Sequence, residues 1–315
     1  MSNHTGHGHR HGHQDLHHER PAHGHDHGGA EPDWDVMAPL LERNAELSSA
    51  QYTEAARWIA ALPTAPKVRR VLDIGAGPGV VACLLAEVFP DAEVVAVDGT
   101  PALLERTRER ARRLGLDDRV TTLHATLPEG LPGLGEADLI WAGNTLHHMG
   151  DQRAALAGFG ELLRPGGTVA LVEGGLQPRQ LPRDLGFGRP GLEARMEAAE
   201  AELFQEMRAE LPGARREVED WAALFGAAGL TPQGTRSFLL DLPAPLADAA
   251  REQVVADFTR RSGGLRDHLD AEDLAVLDRL LDPEDPASLH RRPDVFLLLA
   301  RTLHLGRRAE PVASE

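Results

Sequence analysis

The chain has 315 residues, of which 26% are charged and 42% hydrophobic, and its formal net charge is −16. This length suits one large domain with elaborations, and the acidic balance argues against a dedicated nucleic-acid-binding protein, which needs a basic face. Charged residues interrupt every apolar stretch and the N-terminus has no apolar signal region, so we expect no membrane span and a cytoplasmic protein.

Residues 1–30 differ in composition from the rest of the chain. They hold ten of the 16 histidines, set among Gly and Pro with almost no apolar side chains. Such a segment buries too little surface to become ordered, so we expect a disordered tail. Its imidazoles predict incidental binding of divalent metal ions. The alternative is a metal-handling protein in which this tail is the working part.

A helical preface is predicted for residues 31–66. Apolar residues recur at helical spacing from Trp34 to about Leu62, and Ser48 followed by Gln51 predicts a capping box between two helices. The preface either lies over a ligand cleft or packs on the outside of a sheet.

From residue 67 to residue 306, strand and helix patterns alternate, which is typical of a doubly wound, mostly parallel α/β sheet. Two segments, 183–213 and 244–292, carry amphipathic helices that such a sheet does not need. We expect them to be helical cap insertions at the carboxyl ends of strands, where ligands bind. The first is a candidate lid or a helix that would form a homodimer. The predicted strands lie near 69–74, 93–98, 119–124, 137–142, 167–173, 235–241 and 294–304.

A glycine hairpin follows the first predicted strand, in the string VLDIGAGPG at residues 71–79. A dinucleotide site would place its third glycine where Val80 stands. Asp73, just before the hairpin, would repel a pyrophosphate but attract an ammonium group. Asp98 ends the next strand and can accept hydrogen bonds from a ribose. The pattern therefore predicts a nucleoside ligand that carries an amino acid.

This strand, hairpin and acid resemble motif I of the class I S-adenosylmethionine-dependent methyltransferases. The resemblance implies a seven-stranded Rossmann-like methyltransferase sheet with an antiparallel last strand, and S-adenosyl-L-methionine as cofactor. It also assigns cofactor contacts to residues of this chain, with Asp73 favouring the ammonium group, Asp98 the ribose and Thr126 the adenine. Asp138 is expected to cap its strand instead. The implied cofactor-binding residues are Asp73, Gly75, Gly77, Asp98, Gly99, Thr126 and Asn144.

A second resemblance involves the segment after the fourth strand, which reads LHHMGD at residues 146–151. It is similar to the His-Asp-Trp-x-Asp segment of small-molecule O-methyltransferases of the plant phenolic type. The resemblance implies that His147 is the general base and that Glu173 at the end of the fifth strand holds its imidazole. His148, beside the base, is the third catalytic candidate. A second supporting glutamate is not expected, because Arg215 and Arg216 precede Trp221.

The acceptor class follows by exclusion. No Asn/Asp-Pro-Pro motif for nucleic-acid amino groups follows the fourth strand, no glutamate pair for protein arginine is present, and Cys83 is placed as a core residue, not a nucleophile. We therefore expect a small-molecule acceptor, with a hydroxyl favoured by His147. N-methylation, C-methylation of an α-keto acid assisted by a metal on the adjacent histidines, and a non-catalytic cofactor-binding or metal-binding protein are the alternatives. No metal ligand set is assigned.

Overall fold

The computed structural model describes residues 33–62 and 67–310. The His-rich segment 1–30 lies outside the described residues, so its disorder and its metal binding stay predictions.

A single seven-stranded sheet organises the described chain, in the order β3-β2-β1-β4-β5-β7-β6. β1 to β5 run parallel, and β7 is antiparallel to both of its neighbours. This is the predicted methyltransferase fold, which is confirmed. The strands are β1 Arg70–Ile74, β2 Glu93–Asp98, β3 Val120–His124, β4 Ala137–Gly143, β5 Leu163–Arg179, β6 Thr231–Leu242 and β7 Leu297–Arg307.

Helices cover both faces of the sheet because successive side chains of each strand point to opposite faces and both sets are largely apolar. One face packs on α2, α3 and α4 around Trp141, and the other packs on α5 and α7 around Phe159. Cys83 of α3 is buried in the first of these cores, as predicted. The helices are α1 Trp34–Leu47, α2 Ser49–Ala60, α3 Val80–Val88, α4 Pro101–Leu114, α5 Gln152–Leu162, α6 Leu192–Glu210, α7 Trp221–Ala227, α8 Asp248–Leu265 and α9 Ala271–Leu281.

The two predicted insertions contribute a third apolar core. α6 lies in the first insertion, and α8 and α9 lie in the second. Met196, Phe258 and Leu277 are fully buried among them and pack with Leu297 and Leu299 of β7. Because the insertions follow β5 and β6, both leave the sheet at carboxyl ends of strands.

Two local predictions were wrong. The Ser48 side chain makes no capping hydrogen bond, and the buried Gln51 amide donates instead to the Phe238 carbonyl at 2.7 Å, which ties α2 to β6. The fifth strand, predicted near 167–173, extends from Leu163 to Arg179. It does so through irregular pairing with β7 near Gly175, because a bulge lets the strand continue past two glycines.

None of the helices in the described ranges is long and apolar enough to cross a membrane.

Asp138, at the start of β4, holds the edge of the sheet opposite the hairpin. Its Oδ2 accepts from the backbone amides of Arg69 and Arg70 at 2.8 and 2.9 Å, and Arg164 donates to both of its oxygens. The expectation that Asp138 caps its own strand is wrong, because its carboxylate accepts from the amides at the start of the neighbouring β1.

We predict that Asp138→Ala lowers the free energy of unfolding by about 2–4 kcal/mol, because two backbone amides and a guanidinium lose their acceptor. Urea unfolding followed by circular dichroism measures the change. Glu136→Ala, two residues away on an exposed side chain, is the control and should stay within about 0.5 kcal/mol of wild type. Equal losses in both variants would contradict this assignment.

Candidate active site

The hairpin after β1 presents a backbone surface to the carboxyl edge of the sheet. Gly75 and Ala76 donate their amides to the Val97 carbonyl, so the hairpin is fixed against β2. Gly75 has a φ of +70°, and a Cβ there would lie 2.2 Å from Thr145 Oγ1. At Gly77, with a φ of +55°, a Cβ would meet nothing within 4 Å. Packing thus requires Gly75, whereas Gly77 borders open space that a ligand can approach.

Asp98 links the end of β2 to this hairpin. Its Oδ2 accepts from the Gly77 amide at 2.9 Å, and its Oδ1 accepts from the Thr100 amide at 2.8 Å. Each carboxylate oxygen has two acceptor positions, so both oxygens retain the capacity to bind hydroxyl groups. The carboxylate is therefore oriented before a ligand arrives, which fits the predicted ribose contact.

Asp73 is a buried carboxyl whose Oδ2 has no hydrogen-bond partner among the described residues. Burial, and secondarily the negative charge of Asp98, raise the pKa of Asp73 from 3.8 to about 8. A cation placed here would favour the ionised form. The orphaned oxygen and the raised pKa fit the predicted contact with an ammonium group.

The other predicted cofactor residues lie along the same strand-end edge. Gly99 and Thr126 are exposed after β2 and β3, and the Thr126 carbonyl accepts from Gly130. Asn144 follows β4 with a φ of +51°, and its amide donates to the Val172 carbonyl. Their contacts with a cofactor stay predictions.

The structure brings His147 and Glu173 together. His147 Nδ1 lies 2.9 Å from Glu173 Oε2 and 3.2 Å from Oε1, and Oε1 also accepts from the Leu146 amide at 3.0 Å. Glu173 is 5% exposed, whereas the His147 side chain is 18% exposed. A carboxylate only accepts hydrogen bonds, so this contact places a proton on Nδ1 and leaves Nε2 as a base.

The neighbours of His147 differ from the resembled segment. His148 is exposed, and its ring centroid lies 4.2 Å from that of His147. The ring centroid of Phe204 in α6 lies 5.5 Å from that of His147. Asp151 caps α5 by accepting from the Ala154 amide. Arg208 of α6 donates to the carbonyls of His147 and Met149, and so fastens α6 to this turn.

A cavity of about 500 Å³ opens beside His147 and Glu173. The end of α1, the bulged part of β5, the strand β7, and the helices α6 and α8 line it. The preface and both insertions therefore contribute to its walls, which supports the lid interpretation of the first insertion. Its charged lining residues are Glu173, Glu197, Glu200, Glu219, Asp257, Arg260, Arg261 and Arg301.

Glu219 and Arg301 are among the lining residues that were not predicted from the sequence. Glu219 lines the cavity two residues before Trp221, where we expected no supporting glutamate beyond Arg215 and Arg216. The acidic string EVED at residues 217–220, directly before Trp221, could have indicated this glutamate. Arg301 lines the cavity from β7, and only its alternation with leucines could have indicated it.

Among the residues that the structure describes, no three His, Cys, Asp or Glu side chains lie close enough together to hold a metal ion. The metal-assisted alternative therefore has no donor set in those ranges.

We predict that the raised pKa of Asp73 makes the protein less stable as pH rises. The unfolded chain releases this proton near pH 3.8 and the folded chain near pH 8, so stability falls between about pH 4 and pH 8. Asp73→Asn should remove this slope and raise the free energy of unfolding by about 2–4 kcal/mol at pH 7 without cofactor.

Urea unfolding at several pH values measures this effect. The exposed Asp117→Asn is the matched control and should keep the wild-type slope. A curve for Asp73→Asn that runs parallel to wild type would contradict the assigned ionisation.

Comparisons with known proteins agree with this geometry. A family profile described as a methyltransferase domain matches residues 72–169. The trans-aconitate 2-methyltransferase of Streptomyces coelicolor is 29% identical over 280 residues, covering 84% of each chain. That of Methylobacterium radiotolerans is 39% identical over 120 residues, which cover 37% of this chain and 42% of that protein, less than half its length.

One similar solved structure is the complex between the Haloferax volcanii Trm112 methyltransferase activator and a methyltransferase, with a TM-score of 0.50 and 15% identity over 90% of this chain and 100% of that one. At this identity the likeness concerns the fold alone. The sheet order and the hairpin with its two acids give the class I S-adenosylmethionine-dependent methyltransferase fold, and residues 72–169 match a methyltransferase domain, which identifies a methyltransferase with S-adenosylmethionine as its cofactor.

Proposed function

We propose that this enzyme methylates a hydroxyl oxygen of a small organic acceptor and that His147 is the general base. The observation that carries the proposal is the His147–Glu173 contact in the wall of a cavity at the strand-end edge. This edge also holds the residues proposed to bind the cofactor. The general base and the proposed binding site of the methyl donor would thus lie beside the same substrate hydroxyl.

The proposed cofactor residues fit a sulfonium amino acid nucleoside. Gly77 borders open space, Asp98 has free acceptor positions for the ribose, and Asp73 has an unpartnered oxygen for the ammonium group. S-adenosylmethionine, when bound, supplies the methyl group as an electrophile. The chain has only to orient the acceptor, exclude water and take its proton.

His147 and Glu173 divide the proton chemistry between them. Nε2 of His147 accepts the hydroxyl proton, which leaves the oxygen nucleophilic. Glu173 keeps the imidazole in the required tautomer and stabilises the imidazolium that forms. The backbone amide of Leu146 holds Glu173 in place, so the pair is positioned in advance.

Carboxyl methylation is the reaction that the relatives' names suggest. A carboxylate is already ionised near neutral pH, so its methylation needs no base to remove a proton. The His147–Glu173 pair would then have no catalytic role. Five carboxylates and three guanidinium groups line the cavity. This is a poor environment for trans-aconitate, the compound in the relatives' names, because its three carboxylates would add further negative charge. A hydroxyl acceptor with less negative charge fits these walls better.

N-methylation, C-methylation, a non-catalytic binding role and a homodimer remain alternatives, and no contact among the described residues favours them over O-methylation.

We predict that His147→Ala lowers kcat by roughly 10²–10⁴-fold while leaving the affinity for S-adenosylhomocysteine within about twofold, because only proton transfer is lost. The assay uses labelled cofactor and the best acceptor from a panel of phenols, hydroxy acids and keto acids. The exposed His268→Ala is the control. A loss under about threefold for His147→Ala would reduce His147 to a structural role.

A further inference from the structure

A charged residue interrupts a row of buried leucines on one face of β7. Leu297, Leu299, Leu303 and Leu305 are all buried on that face. Because side chains alternate along a strand, residue 301 belongs to the same row, and there the chain has Arg301. A guanidinium at such a position needs an explanation that packing does not provide.

Arg301 lines the cavity and has no partner for its charge. Its Nε is buried and unbonded, and the guanidinium makes no hydrogen bond or ion pair with any residue in the ranges 33–62 and 67–310. Only Nε is withdrawn from solvent, and this buried donor without an acceptor is unfavourable, whereas the two Nη groups are not buried. The free donors point to a ligand group that would complete the site.

Apart from the exposed Glu219, the other charged side chains in the cavity wall are paired. Glu173 pairs with His147, and Asp257 with Arg260. Arg261 donates to Glu200 at 2.7 Å, and Arg179 pairs with Glu197. Glu219 is exposed to solvent. Arg301 is therefore the unbalanced charge in the inner wall.

We infer that Arg301 binds a carboxylate of the acceptor. A guanidinium offers parallel N–H donors that match the two oxygens of a planar carboxylate. A single carboxylate neutralises one arginine, whereas the second charge of a phosphate dianion would meet the surrounding carboxylates. The acceptor class is thus a hydroxy acid with one carboxylate, held in the cavity that Arg301 and His147 both line.

This inference rests on the proposed function for the hydroxyl, but its main test does not. 4-Hydroxybenzoate and 4-hydroxybenzamide are nearly isosteric and differ in charge. Binding of each to the full-length protein saturated with S-adenosylhomocysteine can be measured by calorimetry or by saturation-transfer NMR.

We predict that wild type binds the acid at least about tenfold more tightly than the amide. Arg301→Met should abolish this preference, and Arg301→Lys should retain part of it, which controls for altered packing. Arg236→Met, on the neighbouring strand and paired with Glu54 outside the cavity, should leave the preference unchanged. Equal binding by wild type, an undiminished preference in Arg301→Met, or no binding of either compound at millimolar concentration would overturn the inference.

Product analysis separates this inference from the proposed function. Formation of 4-methoxybenzoate, an ether, with the same dependence on Arg301 supports both. Formation of the methyl ester with a carboxylate preference overturns the hydroxyl proposal and leaves the role of Arg301 in place. Ether formation without any preference for the acid overturns the role of Arg301 alone.

Discussion

The parallel register of the sheet is the constraint on which the site depends. It places the carboxyl ends of β1, β2, β4 and β5 at one edge, and each of these ends contributes a polar group to that edge. Asp73 comes from β1, Asp98 ends β2 and Asn144 follows β4, while Glu173 lies in β5 directly after Val172, the last residue paired with β4. The hydrogen bond from the Gly77 amide to Asp98 then joins the hairpin to the neighbouring strand. Without this alignment, no short sequence motif would assemble the site.

Three carboxyl groups at this edge have different surroundings, which suit three different roles. Asp98 accepts from two backbone amides and stays oriented. Glu173 is buried against the His147 imidazole, so it can stabilise a positive charge there. Asp73 is buried with an unpartnered oxygen, and this costs stability until a cation arrives. The environment, more than the residue type, therefore distinguishes the proposed roles.

Much of this arrangement was predictable because it is local in sequence. The alternation of strand and helix patterns predicted the sheet, and the hairpin spacing together with Asp73 and Asp98 predicted the class of cofactor. The contact between His147 and Glu173 came from a resemblance and is present in the structure, although the catalytic role is not thereby tested. The features that were missed depend on tertiary contacts. Gln51 turns to β6 instead of capping its helix, and β5 continues through a bulge. The place of Arg301 in the cavity wall could not be predicted, because it depends on the pairing of β7 with the bulged part of β5 and on the inserted helices that enclose the cavity.

The central claim is that the hairpin and Asp98 form the cofactor site, and calorimetric titration of the full-length protein with S-adenosylhomocysteine tests it most directly. Asp98→Ala should weaken binding by at least about tenfold, and Asp91→Ala, at an exposed residue in the turn before the same strand, should bind like wild type. Circular dichroism would verify that both variants are folded. Unchanged affinity in a folded Asp98→Ala variant would contradict the account.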